Sequence, residues 1–138
     1  MNAKDLNLED IQVGQAASFE RTFTEADVQA FAELSGDTNP LHMDPAYAGS
    51  TKFGQRLVHG MLIASLCSAL VGMYIPGKKC LYLGQTLSFK RPVFIGDTVT
   101  VTGRVESVSS STRIVSIEIN ITKQGEDAVT GVATTQVL

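Results

Sequence analysis

The sequence predicts an α+β fold in which a curved antiparallel sheet wraps around an apolar helix. Three observations predict it. Residues 61–73 make a helix-length run with apolar or small side chains on nearly every face, and such a helix needs cover on all sides. The second half of the chain alternates apolar and polar residues over several short runs, as half-buried strands do. Turn formers at Gly96-Asp97, Ser109–Ser111 and Gly125-Glu126 separate these runs, which favours antiparallel neighbours. A chain of 138 residues without an interdomain linker or internal repeat is expected to form a single domain over 1–138.

In chain order, a turn at Gly14 precedes a first strand over 15–23. Thr24 reads as an N-cap, with Asp27 as a shortened capping-box acid. Val28, Phe31, Ala32 and Leu34 or Ser35 then give an inward stripe for a helix over 25–35, and Gly36 stops it. That helix delivers Asp37 at its exit. Pro40 holds Asn39 in extended or turn geometry, and Asp44-Pro45 reads as an N-cap with proline at the first helical position of a short helix through Ala46, Tyr47 and Ala48. His42 therefore sits between two rigid proline-containing elements.

Gly54 and His59-Gly60 bracket the next connection, after which the 61–73 helix runs about 20 Å at the usual rise. Ala64, Ser65, Ser68, Ala69 and Gly72 permit close approach, Leu62, Leu66, Leu70 and Val71 supply bulk, and Pro76-Gly77 ends the element. Leu81, Leu83, Leu87 and Phe89 open the alternating pattern, with Gly84 placed for a bulge. Val99, Val101, Gly103 and Val105 form one inward set, Val115, Ile117, Ile119 and Ile121 the clearest one, and Val129, Gly131, Ala133, Thr135 and Val137 the last.

Composition narrows the function. The chain is 43% hydrophobic and 18% charged, with net charge -3, which argues for a folded globule and against a general attraction to nucleic acid or anionic membrane. Its basic residues are scattered, and the longest basic runs are the pairs Lys78-Lys79 and Lys90-Arg91. Cys67 and Cys80 lack metal-type spacing and make no disulfide framework, so both are expected to be reduced and the compartment cytoplasmic. The first residues lack the apolar core of a signal peptide, and the apolar stretch from Gly60 to Ile75 is too short to span a bilayer comfortably.

Asp37, Asn39 and His42 form the best local constellation. An aspartate accepts a proton or orients a donor, an asparagine fixes a water or a main-chain group, and a histidine exchanges protons near neutral pH. The plain structural reading stays open beside this: Asp37 and Asn39 making Asx turns, and His42 bonding a carbonyl. One acid, one histidine and one asparagine define no metal site, and the glycines lack a nucleotide-binding pattern. His59 reads as a junction residue satisfied by hydrogen bonds or as a proton-transfer group. Gly60 offers a backbone N–H at a helix start, where developing negative charge is favoured. Tyr82, Phe89 and Phe94 read as core or interface residues. Arg56, Lys90 and Arg91 are candidates for holding an anionic group, with a solvated strand edge as the alternative for Arg91.

The segments FAELSGDTNPLHMDPAYA at 31–48, RLVHGMLIASL at 56–66 and LSFKRPVFIGDTVTV at 87–101 resemble the MaoC-like, or (R)-specific, enoyl-CoA hydratases. With the strand pattern, the resemblance covers nearly the whole chain. It implies a hot-dog fold, a homodimer whose two sheets join, and a lyase of fatty-acid metabolism that adds water to trans-2-enoyl-CoA. It maps the catalytic carboxylate onto Asp37, the catalytic imidazole onto His42 and the carbonyl-polarising amide onto Gly60, with Asn39 supporting water or site geometry. The acyl-CoA is the substrate, and no separate cofactor or metal is implied. Dehydration of a 3-hydroxyacyl group on an acyl carrier protein, thioester hydrolysis and non-catalytic acyl-thioester binding remain the alternatives.

Overall fold

The computed structural model describes all 138 residues, Met1–Leu138. Strand β1 (Ala16–Thr22) leads into helix α1 (Glu25–Ser35). The cap is the one the spacing predicts. Thr24 Oγ1 accepts the Asp27 amide at 3.2 Å, and the Asp27 carboxylate accepts the Thr24 amide at 2.9 Å. Gly36, at φ 80°, ends the helix in the left-handed region that a side chain disfavours.

Two single-turn helices follow, α2 (Pro40–Met43) and α3 (Pro45–Gly49). Each begins with a proline that has no N–H to lose and a side chain that caps the free amides. Asn39 Oδ1 accepts Leu41 N–H at 2.9 Å, and Asp44 Oδ1 accepts the amides of Ala46 and Tyr47 at 2.9 and 3.2 Å.

The apolar segment is two helices, α4 (Gly60–Ala64) and α5 (Leu66–Met73). Strands β2 (Cys80–Gln85), β3 (Ser88–Phe89), β4 (Thr98–Val108), β5 (Ile114–Lys123) and β6 (Glu126–Val137) join β1 in one antiparallel sheet. The order is β1-β4-β5-β6-β2, with β3 also pairing β6. Val99, Val101 and Val105, then Val115, Ile117, Ile119 and Ile121, then Val129, Ala133 and Val137 are buried and form the sheet's side of the core. Leu70 and Val71 of α5 fill the other side. Gly103 lies where the two meet: a Cβ there would collide with Leu70 Cδ2, so the strand needs a residue with no side chain at that point.

This architecture corrects the expected hot-dog arrangement of a curved sheet wrapped around one central helix. The α+β class and the antiparallel sheet hold. The sheet is open, however, with β1 and β2 at its ends and unpaired with each other. A path of this few strands falls short of the roughly eight with which small barrels close. The helix does not run unbroken from 61 to 73 either. At Ser65 the hydroxyl bonds Leu62 O at 2.6 Å and the amide is shared between Met61 O and Leu62 O at 2.9 and 3.2 Å. Serine competing for the backbone of the preceding turn interrupts the regular ladder.

The register shift between Tyr82 and Gly84 is the bulge expected at Gly84. The face of β2 is a surprise. Cys80 and Tyr82 pack toward the core, whereas Leu81 and Leu83 are 45% and 50% exposed. No helix is long and apolar enough to cross a membrane.

Candidate active site

The loop carrying His42 is stitched to the extended residues 56–58. Leu57 N–H donates to Leu41 O at 3.2 Å, His42 Nδ1 meets Leu57 O at 2.8 Å, and Arg56 Nε donates to His42 O at 2.6 Å. Val58 N–H in turn donates to Val93 O at 2.8 Å, tying the segment to the chain before β4. Because the partner of His42 Nδ1 is a carbonyl, that nitrogen carries the proton. In the neutral ring Nε2 is then a bare lone pair.

Asp37 sits just beyond the α1 stop. Its Oδ1 accepts Asn39 N–H at 3.2 Å, its own amide donates to Ser35 Oγ at 3.1 Å, and its carbonyl accepts His59 Nε2–H at 2.9 Å. The plain reading of this segment is therefore realised in full: Asx turns at Asp37 and Asn39, and a carbonyl bond at His42. Those same bonds bring the polar groups together. One acid–base atom from each of Asp37, His42 and His59 lies within 4.8 Å of the others. A single water donating to two acceptors at hydrogen-bond length separates them by about 4.6 Å, which is the scale of this grouping.

The trio does not build a metal site. His42 Nδ1 and His59 Nε2 are engaged by carbonyls, and the two rings are stacked with centroids 4.0 Å apart and planes 27° from parallel. Lone pairs lying in stacked planes do not converge on one ion about 2.0–2.1 Å from each nitrogen.

Beside His42 opens a cleft of about 350 Å³, lined among others by Gly60, Ile63, Phe89, Lys90 and Arg91. Gly60 is the first residue of α4, and His59 provides no side-chain cap; Leu62 N–H bonds His59 O at 3.0 Å, which leaves the Gly60 and Met61 amides without a side-chain cap. Phe89 is 53% exposed and its ring lies over Gly60. Asp37 is exposed and lies outside the cleft lining, reaching it through His42.

The other sequence candidates separate. Lys90 and Arg91 line the cleft, and Arg91 also pairs with Glu126 at 2.9 Å and donates to Asp127 O at 2.7 Å. Arg56 lines a different depression. Its side chain is 10% exposed and is held by His42 O and by Glu25 at 2.5 Å. Asn39 uses its side-chain oxygen to cap α2. Burial pushes the Cys67 thiol up to about 11, so it is not a nucleophile at neutral pH.

A family model described as the MaoC like domain matches residues 9–126. The chain is 48% identical over 129 residues to the (R)-specific enoyl-CoA hydratase of Aeromonas caviae, covering 93% of this chain and 96% of that one. The chain belongs to the MaoC-like family. A second relative, the (R)-specific enoyl-CoA hydratase of Rhodospirillum rubrum, is 44% identical over 140 residues, covering 99% and 97%. Among solved structures, an R-hydratase of Pseudomonas aeruginosa superposes with a TM-score of 0.93 at 38% identity, covering 98% of this chain and 87% of that one.

Two features of this MaoC-like site escaped the sequence reading. His59 contacts both polar partners, and Phe89 shields the helix start. The adjacency of His59 to Gly60 was visible in the sequence. Its stack on His42, seventeen positions earlier, depends on how the loops fold back.

Proposed function

We propose that this protein hydrates trans-2-enoyl-CoA to (R)-3-hydroxyacyl-CoA, reversibly. The observation that carries the reading is the grouping of the Asp37 carboxylate and the His42 ring, with acid–base atoms within 4.8 Å, next to a cleft lined by His42 and Gly60. The closeness of the two hydratase relatives supports it.

The thioester carbonyl accepts Gly60 N–H, which draws charge from the β carbon and stabilises the enolate oxygen. A water donates one hydrogen to Asp37 and the other to His42 Nε2, leaving an oxygen lone pair aimed at the alkene. Asp37 takes a proton as the water oxygen bonds the β carbon, and the π electrons pass to the carbonyl oxygen. The enolate then reforms the carbonyl and takes that proton from Asp37 at the α carbon. Both additions occur on one face, which is syn addition. A neutral His42 in this tautomer has no Nε2 proton of its own to give, so its part is to orient the water. The sum is redox-neutral, and the CoA thioester is the substrate rather than a retained cofactor.

Lys90 and Arg91, on the rim of the cleft, suit the phosphates of CoA. A second copy of the chain belongs to this reading, joined along β2, an edge strand carrying the exposed Leu81 and Leu83. Light scattering should then give twice the chain mass. The free thiols of Cys67 and Cys80 suit the cytoplasm.

The deciding assay follows loss of enoyl absorbance with short and medium trans-2-enoyl-CoAs and resolves the product on a chiral column. An (R)-3-hydroxyacyl product without free thiol is expected. An (S) product, thiol release, or binding without turnover overturns the proposal.

A further inference from the structure

We infer that His59 is a positioning residue that sets the spacing of the acid–base pair, its Nε2–H anchoring the Asp37 backbone and its ring backing His42. The inference rests on the hydratase reading for its consequence on turnover, and on geometry for its substance.

His59 is 2% exposed, and among buried polar residues it is matched only by Thr135. The Thr135 hydroxyl is satisfied by Val115 O at 2.8 Å, whereas His59 Nδ1 has no partner. A buried acceptor left unbonded is costly, so packing alone would favour an apolar ring at this position. What histidine adds over phenylalanine is the Nε2–H on Asp37 O at 2.9 Å. Because that partner is a carbonyl, the proton resides on Nε2 and the lone pair on Nδ1.

Direct proton transfer does not suit this ring. It is buried, it is absent from the cleft lining, and the nitrogen that carries its proton is engaged. Burial also holds its pKa below the usual histidine range, against the opposing pull of the bonded Asp37 carbonyl. The charged or titratable groups around it are His42, Asp37 and Arg56. A neutral ring is the form that stacks on His42 at 4.0 Å without electrostatic conflict, while Phe31 packs against it at 4.8 Å.

Anchoring is needed because Asp37 follows a left-handed glycine and is exposed. The other bonds of residues 37–39 run to neighbours between Ser35 and Met43, and the His59 bond alone arrives from a distant part of the chain. The residue after His59 is Gly60. One side chain therefore relates carboxylate, imidazole and carbonyl-binding amide.

The test uses the full chain with two variants that divide the functions of the ring. His59→Phe keeps an aromatic stack and loses the donor. His59→Gln keeps a donor nitrogen at similar reach. With trans-2-butenoyl-CoA, His59→Phe should lose about 10- to 100-fold in kcat with KM nearly unchanged, as a misplaced acid–base pair does. His59→Gln should recover at least about tenfold of that loss. Nitrogen-15 NMR of the wild-type imidazoles should find His59 as the Nε2–H tautomer with Nδ1 unprotonated. Wild-type kcat in His59→Phe, equal losses in both variants that track their melting temperatures, or an Nδ1–H tautomer overturns the inference. A wild-type chain that does not hydrate defeats the function reading alone. Positioning is then judged from the tautomer and from whether His59→Phe moves the Asp37 and His42 signals.

Discussion

Replacing Gly60 by alanine separates two reasons for a glycine at the start of α4. Its φ is not positive, so alanine can adopt the backbone. The obstacle is the Phe89 ring: an added Cβ would meet Cε1 at 2.9 Å and Cδ1 at 3.0 Å. Carbon pairs normally rest at about 3.5–4.0 Å, so the ring must retreat by about 0.5–1 Å. It can do so, because Phe89 is 53% exposed on a two-residue strand. Alanine gains up to about 1 kcal/mol over glycine in a helix, which offsets the low end of the roughly 1–3 kcal/mol cost of overpacking. Stability should therefore fall by no more than about 2 kcal/mol, a drop of at most about 6–10 °C in melting temperature. The amide survives the change, yet methyl and displaced ring crowd the cleft they line. A loss of about tenfold in kcat/KM, near 1.4 kcal/mol, is expected. The assay is a double-mutant cycle with Phe89→Ala, read in kcat/KM and melting temperature. Removing the ring should restore at least about 1 kcal/mol of the loss as favourable coupling. Strict additivity would refute the collision, and an unfolded Gly60→Ala would refute the claim that alanine fits the backbone.

Asp37→Asn should lower kcat/KM by about two to four orders of magnitude, the loss that follows from the proposed role of its carboxylate as base. Its circular dichroism and melting curve should stay near wild type, because an amide oxygen can still accept Asn39 N–H. Lys90→Ala should raise KM for the CoA substrate by about 3- to 10-fold, more at low salt than at high salt, with kcat little changed. Equal losses at all ionic strengths would argue against a phosphate contact. The lowered pKa of His59 has a defined sign in stability. Below the ordinary histidine value of 6.5 the unfolded chain binds a proton that the buried ring resists, so stability is full above that pH and falls as pH drops toward the folded value. Melting temperature should decline on acidification below that point, and His59→Phe should show a shallower decline.

Local patterns were legible wherever one face of an element carries the information. The α1 boundaries follow from Thr24, Asp27 and Gly36, whose bonding is complete within one turn. The inward residues of β4 and β5 follow from strict alternation, because a slip of one position would turn every side chain to the wrong face. In β2 the same reasoning misleads. Leu81 and Leu83 look inward by composition and point outward in the isolated chain, since an edge strand with apolar residues on both faces has no unique inside. The helix break at Ser65 was equally hard to read, for serine suits close packing and backbone competition alike.

For the site, the sequence by itself determined which groups are present and the short-range turns that carry them: Asp37 at a helix exit, His42 between prolines, Gly60 at a helix start. Only the tertiary structure decided which nitrogen of His42 is free, that His59 lies against it, and that Arg56 turns to Glu25 instead of the cleft. The reason is separation along the chain. A cap or a turn is completed by residues two to four apart, whereas Leu57 O, the His59 ring and Glu25 reach their partners only after the loops have folded back.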